Sequence, residues 1–268
     1  MRKKLKPIVV IGFFLTFFAI IFISGVYGNR ATAGKETTIT QSNTNPTSIE
    51  TIPSSSYYIT NALEMKPIID VSAWQRPSEI DYDTLSQNIS GAIVRIQSGS
   101  HTKNENTATD ENGLDKAFDT HIKEFQARNI PVAVYAYVTG NSIDSMKEEA
   151  RSFYEAANKY NPTFYWLDVE EHTMDDMNGG VEAFRQELES LGAKNIGIYV
   201  GTYFMEDHSI NVDKFDAIWI PTYGVDSGYY NAAPSTDLDY DLHQYTSRGY
   251  VNGFENYLDL NIITTLKD

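Results

Sequence analysis

Two carboxylates at the end of one short apolar segment are the residues of this sequence best placed to do chemistry. Side chains alternate between the two faces of an extended strand, so Asp168 and Glu170 in the run from Phe164 to Glu170 project to the same side. Carboxylates held close together push each other's pKa values apart, so that one can keep its proton near neutral pH beside an anion. A proton donor beside an anion is the equipment that glycosidic bond hydrolysis needs.

Two further acids interrupt apolar, strand-like segments. Asp70 follows Ile68 and Ile69, and Asp259 lies between Leu258 and Leu260. Burying an uncompensated charge is expensive, so an acid in such a place usually has a function. Each of these two acids could instead cap a strand end or form a salt bridge.

A metal-dependent hydrolase is an alternative reading of the same region. Asp168, Glu170 and His172 form a mixed acid and histidine set of the kind that binds divalent metals. His172 would share a face with Glu170 only if the strand continued without a turn.

Aromatic side chains also fall at the ends of predicted strands. In a barrel such rings could line a groove and stack on sugars, although core packing is the commoner role of tyrosine and tryptophan. The candidate substrate-binding residues are Tyr135, Tyr137, Trp166, Tyr199, Trp219, Tyr223 and Tyr245.

The segments that would position these side chains alternate between strand and helix. Strands are predicted at residues 67–72, 91–97, 130–138, 163–170, 195–200, 217–222, 241–246 and 257–260, and helices at 114–128, 145–159 and 180–191. This alternation implies parallel βαβ units, and the strand number predicts an irregular, TIM-like α/β barrel. A doubly wound open sheet is the alternative, although no glycine-rich phosphate loop follows the first strand.

The N-terminal region has a different texture. Residues 1–27 place four basic side chains before an uncharged apolar run long enough to cross a bilayer, which predicts a transmembrane anchor with the rest of the chain outside the cell. A signal peptide cleaved after Ala33, and so a secreted protein, is the alternative. Residues 28–63 are rich in Thr, Ser and Asn and predict a flexible linker, which leaves residues 64–268 as the catalytic domain.

Composition narrows the classes further. The chain has no cysteine, which excludes disulfides, a thiol nucleophile and thiolate-bound metals. The chain has 21 basic and 36 acidic residues, of which six basic and two acidic residues lie in residues 1–63. Residues 64–268 therefore hold 15 basic and 34 acidic residues, which gives them a net charge of −19. So acidic a domain is a poor candidate for binding nucleic acid, and it needs something other than charge to stay near anionic wall polymers.

Five short motifs, taken in order, resemble the glycoside hydrolase family 25 muramidases across residues 66–265. They are Ile69-Asp70-Val71-Ser72, Trp166-Leu167-Asp168-Val169-Glu170, Ile218-Trp219-Ile220-Pro221-Thr222-Tyr223, Gln244-Tyr245-Thr246-Ser247 and Leu258-Asp259-Leu260-Asn261. The sequence departs from the family pattern at Tyr135-Ala136-Tyr137, at His243 and at Arg95-Ile96-Gln97-Ser98-Gly99. These departures affect the substrate groove rather than the acidic residues.

The resemblance implies an irregular α/β barrel that cuts peptidoglycan glycan strands between N-acetylmuramic acid and N-acetylglucosamine, with no metal or organic cofactor. It implies that Glu170 is the general acid and Asp168 its partner carboxylate. Asp70 and Asp259 match the two acids that line the family's active-site floor. Whether Asp168 attacks the sugar or orients the substrate's own N-acetyl group stays open, and a catalytically inactive wall-binding module is the alternative function.

Overall fold

The computed structural model describes residues 66–99 and 105–264. In that part of the chain, strands pair in sequence order to form one closed barrel. They are β1 Ile68–Val71, β2 Gly91–Gln97, β3 Val132–Tyr137, β4 Tyr165–Val169, β5 Ile196–Val200, β6 Ala217–Pro221, β7 Leu242–Gly249 and β8 Leu258–Ile263. All eight overlap the predicted segments, and closure of the sheet excludes the open, doubly wound alternative.

The helices pack around the outside of this barrel. They are α1 Tyr82–Ser86, α2 Phe118–Ala127, α3 Ile143–Ala157, α4 Met177–Leu191 and α5 Thr202–Asp207, with short 3-10 turns at Pro77–Glu79 and Asn158–Tyr160. The predicted start of α2 at Leu114 was too early, because Leu114 instead forms a β-bridge with Gln97. Both α1 and α5 were missed because one or two turns show no clear helical periodicity.

The last strand breaks the predicted parallel pattern. β8 runs antiparallel to both β7 and β1, whereas every other neighbouring pair is parallel. No helix separates β7 from β8, so the chain reverses directly after Gly249. As a result, the first residues of β8 reach the same end of the barrel as the carboxyl end of β1, and Asp259 lies opposite Asp70.

Alternation along β4 separates the two cores, as predicted. Tyr165, Leu167 and Val169 pack into the large core between barrel and helices, whereas Trp166 lies inside the barrel. The Trp166 ring is edge-on to that of Trp219, with centroids 5.5 Å apart. Gly197 lets Trp166 approach its backbone, because a Cβ atom there would lie 2.3 Å from the indole ring. The two rings belong to a buried cluster in the barrel interior that also contains Ile93 and Leu242.

Within residues 66–99 and 105–264, no helix has the length and apolar character needed to cross a membrane. The predicted anchor in residues 1–27 and the predicted linker in residues 28–63 lie outside the described residues.

Candidate active site

A small pocket opens where the parallel strands end, which is where enzymes of this architecture build their sites. Its volume is about 160 Å³. Carboxyl groups from β1, β8 and the end of β4 meet in it, together with aromatic rings from β3, β5, β6 and the residues just after β6. The lining residues are Asp70, Tyr135, Asp168, Glu170, Tyr199, Trp219, Tyr223, Gln244 and Asp259.

Asp168 and Glu170 form a hydrogen-bonded pair on one wall of the pocket. Asp168 is buried, and its Oδ1 atom has no hydrogen-bond partner among the described residues. Burial, followed by the nearby charges of Glu170 and Asp70, raises the pKa of Asp168 well above its usual range. Glu170 lies at the mouth with its side chain exposed, and partial loss of hydration raises its pKa too. The pair therefore tends to keep one proton between its two carboxyl groups.

Asp70 and Asp259 form a second acid pair on the floor. Asp70 Oδ2 accepts hydrogen bonds from Gln244 Nε2 at 2.9 Å and from Asn261 Nδ2 at 2.8 Å. Burial raises the pKa of Asp70 to about 6, even though these donors and Asp259 lower it. Burial and the adjacent Asp70 charge raise the pKa of Asp259 to about 9. At neutral pH, Asp259 is thus protonated and Asp70 is an anion.

One basic side chain from β2 approaches this acidic site. Arg95 donates from Nε to Asp115 Oδ2 at 3.0 Å, and its Nη2 lies 2.9 Å from the same oxygen. Both side chains are nearly buried, with exposed fractions of 11% and 0%. The positive charge of Arg95 opposes the rise in the pKa of Asp168 without overcoming the effect of burial.

Four of the seven aromatic candidates line the pocket, namely Tyr135, Tyr199, Trp219 and Tyr223. The indole Nε1 of Trp219 is a buried donor that has no partner among the described residues. Tyr137 lies opposite Asp168 in the strand register and hydrogen-bonds Glu171 at 3.4 Å, at the edge of the site.

The structure does not bring the other two aromatic candidates to the pocket. Trp166 lies one layer deeper in the barrel interior, because it precedes Asp168 by two residues on the same face of β4. Tyr245 packs against the outer core and lies 6.0 Å from the ring of Tyr230. Its neighbour Gln244 takes the place facing the pocket, since adjacent residues of β7 face opposite sides.

Sequence reasoning did not single out Gln244 or Asn261 as site residues. Both are buried, with exposed fractions of 4% and 0%. A buried amide needs hydrogen-bond partners, so an amide side chain within each predicted strand was the signal that could have marked them. Gln244 lies in the Gln-Tyr-Thr-Ser run and Asn261 ends the Leu-Asp-Leu-Asn run.

The structure does not support a metal site formed by Asp168, Glu170 and His172. β4 ends at Val169, so strand alternation does not carry His172 to the side of Glu170. The His172 ring instead stacks on that of His208, with centroids 4.5 Å apart. In the ranges that the structure covers, no three His, Asp or Glu side chains are placed to hold a metal ion.

Comparisons with known proteins agree on one family. The family model described as Glycosyl hydrolases family 25 matches residues 69–254. A glycosyl hydrolase 25 of Streptococcus pneumoniae, described as a virulence factor participating in host cell invasion, is 60% identical, with 78% of this chain and 91% of that chain covered and a TM-score of 0.74.

Two more distant structures share the fold. The catalytic domain of an endolysin from bacteriophage P40 of Listeria monocytogenes is 25% identical over 75% of this chain and 94% of that one, with a TM-score of 0.65. A family 25 glycosyl hydrolase from Bacillus anthracis is 23% identical over 76% of this chain and 90% of that one, with a TM-score of 0.58. A search of curated proteins gave no significant match.

Proposed function

Because this chain belongs to glycosyl hydrolases family 25, we propose that it cleaves the β-1,4 bond between N-acetylmuramic acid and N-acetylglucosamine in peptidoglycan. The family makes the chain a glycoside hydrolase of the muramidase class. The observation that carries the finer proposal is the pair of carboxyl groups, Asp168 and Glu170, at the mouth of a pocket whose floor holds two more acids.

We assign the role of general acid to Glu170. It is the exposed member of the pair, so a glycosidic oxygen can reach it more readily than it can reach buried Asp168. A raised pKa keeps a proton ready for transfer to the leaving sugar.

Asp168 fits the role of orienting the substrate's N-acetyl group better than that of a direct nucleophile. Asp168 is buried whereas Glu170 is exposed, so the Asp168 carboxyl group is the less accessible of the two to an anomeric carbon entering from the pocket mouth. Oδ1 of Asp168 is buried without a partner among the described residues and can accept an acetamide N–H. That hydrogen bond would favour the ionised form of Asp168 and so leave the shared proton on Glu170.

The floor of the pocket supplies negative charge for the transition state. As the glycosidic bond breaks, positive charge develops on the sugar ring and on the attacking acetamide. Asp70 is an anion held in place by two amide donors, so it can stabilise this charge without reorganising. Protonated Asp259 adds no second charge, which limits the repulsion within the site.

This mechanism predicts a strong dependence on one acetyl group of the substrate. A tetrasaccharide whose muramic residue at the cleaved bond carries a free amine should be hydrolysed at least about 10³-fold more slowly than its N-acetylated counterpart, because the intramolecular nucleophile is gone. The measurement is kcat/KM by chromatography, together with proton NMR of the first anomer released, which should retain the β configuration.

A matched substrate controls for changes in binding. The same tetrasaccharide with the free amine on the leaving glucosamine keeps the attacking acetamide and should lose far less activity. Equal rates for the N-acetylated and free-amine muramic substrates would contradict acetamide assistance and leave Asp168 as a direct nucleophile.

We further propose that residues 1–27 anchor the enzyme in the cell membrane with the catalytic domain outside. The acidic charge of residues 64–268 gives no attraction to anionic wall polymers, whereas a tether raises the local enzyme concentration on glycan next to the membrane. In fractionated cells, the full chain should remain with membranes washed in 1 M salt, and external protease should remove the domain. A soluble extracellular product beginning after Ala33 would identify a cleaved signal peptide instead.

A further inference from the structure

Gln244 joins the two halves of the pocket floor. Its Nε2 atom donates to Asp70 Oδ2 at 2.9 Å. Its Oε1 atom accepts from Tyr199 Oη at 2.8 Å and from Tyr223 Oη at 2.5 Å. The residue is 4% exposed, so water does not compete effectively for these contacts. Both the nitrogen and the oxygen of this side-chain amide are therefore hydrogen-bonded to other side chains of the protein.

The chemistry of the partners fixes which way the amide points. Asn261 Nδ2 also donates to Asp70 Oδ2, so this oxygen receives two N–H donors and carries no proton of its own. The Gln244 nitrogen must then face Asp70, and its carbonyl oxygen must face the tyrosines. A carbonyl oxygen can only accept, so the hydroxyl protons of Tyr199 and Tyr223 both point toward it.

We propose that Gln244 is a positioning residue that sets the hydrogen-bond polarity of the pocket: it holds Asp70 as an anion and leaves the oxygens of Tyr199 and Tyr223 able only to accept hydrogen bonds from substrate. The inference rests on the proposed function and deepens it. With their own protons committed to Gln244, these two phenols recognise the donor groups of an amino sugar, its N–H and O–H bonds. They disfavour groups that only accept, such as a carboxylate or an ester carbonyl.

Other charged groups around the floor bear on any pH dependence. Three charged groups act on the floor acids, on Asp168 or on the two phenols: Glu170 from the end of β4, Arg95 from β2 and Asp226 from the loop after β6. Tyr135 from β3 is itself affected by the charges of Asp70 and Asp168. The side-chain amide of Gln244 hydrogen-bonds Asp70, Tyr199 and Tyr223 rather than any of these groups. A change in this amide should thus act through those three groups first.

Replacing the amide with a carboxyl group tests this role by pH. In Gln244→Glu, a protonated carboxyl can donate to Asp70 and still accept from both tyrosines, whereas an ionised one repels Asp70. We expect kcat/KM on a soluble tetrasaccharide of alternating N-acetylglucosamine and N-acetylmuramic acid to lie within about tenfold of wild type at pH 5 and to fall about 100-fold relative to wild type by pH 8. Gln244→Leu, which neither donates nor accepts, should lose activity at every pH.

Two controls separate this role from a structural one. Gln126→Glu makes the same replacement at an exposed amide on α2 that bonds Tyr160, and it should keep the wild-type profile. Thermal unfolding should show all variants folded. A Gln244→Glu profile parallel to wild type, or full activity in Gln244→Leu, would overturn the proposal.

A binding measurement keeps the two proposals distinguishable. Calorimetric affinity for the same tetrasaccharide should weaken with rising pH in Gln244→Glu but not in Gln126→Glu. If wild type binds the tetrasaccharide but does not cleave it, the proposed function fails while this pH-dependent loss of affinity still supports the role of Gln244. If the affinity of Gln244→Glu for the tetrasaccharide varies with pH in the same way as that of wild type, the proposed role of Gln244 is rejected, whatever the activities are.

Discussion

Substitution of Glu170 by glutamine is expected to lower kcat by at least about 10³-fold without unfolding the domain, because the amide fills the same space but cannot give a proton to the glycosidic oxygen. Of the four acids that line the pocket, Glu170 is the one whose side chain is exposed. Its replacement removes no packing of the barrel core, so the thermal unfolding midpoint should change little. The assay is release of reducing ends from purified peptidoglycan.

The adjacent residue provides a matched control. Glu171 is also exposed, and its carboxyl group accepts a hydrogen bond from Tyr137 at the edge of the site rather than lining the pocket. Glu171→Gln should therefore stay within about tenfold of wild type, the scale of one lost surface contact. Wild-type activity in Glu170→Gln, or an equal loss in Glu171→Gln, would remove Glu170 from the role of general acid.

The two floor acids are expected to respond very differently to the same substitution. Asp70→Asn removes the anion that faces the developing positive charge, so kcat should fall by about 10²-fold or more at pH 7. Asp259→Asn replaces a neutral acid with a neutral amide that can still donate to Asp70, so its loss should stay within about tenfold. Kinetic measurement of both variants on the same glycan decides the matter, and equal losses would contradict the charge assignment.

Stability gives an independent check on the charge of Asp259. Its pKa is raised from 3.8 to about 9 in the folded chain, so folding favours the protonated form and stability falls as pH rises between these values. Asp259→Asn removes this dependence. Its unfolding midpoint should exceed that of wild type by a few degrees at pH 8, at roughly 2–4 °C per kcal/mol, and the gain should shrink toward pH 4. A gain that does not vary with pH would count against the raised pKa.

Much of the candidate active site could be predicted because strand alternation is a local rule. Asp168 and Glu170 were assigned to one face from their spacing alone, and the structure places both in the pocket. Acids at Asp70 and Asp259 stood out because charges are rare within apolar strands. How far each of these side chains lies from the pocket opening could not be predicted from strand alternation. Trp166 shares the face of Asp168 but lies below the pocket, because the level at which a barrel fills with side chains depends on all of its strands.

The features that were missed depend on contacts between distant parts of the chain. The antiparallel direction of β8 follows from a direct reversal after β7 and is not encoded in the apolar pattern of β8 itself. The role of Gln244 depends on partners 174, 45 and 21 residues away, so no local pattern reveals it. Tyr245 drew attention instead, since an aromatic ring is more conspicuous in a sequence than the amide beside it.

The chemical identity of the new sugar end is the most direct test of the proposed reaction. Purified peptidoglycan is digested with the purified chain, the products are reduced with borohydride, and the reduced sugars are identified by mass spectrometry. Cleavage as proposed yields reduced N-acetylmuramic acid, which should be absent when Glu170→Gln replaces the wild type. Reduced N-acetylglucosamine as the new end, or no new ends from a folded wild-type chain that still binds the glycan, would contradict the assignment of a muramidase acting through Glu170.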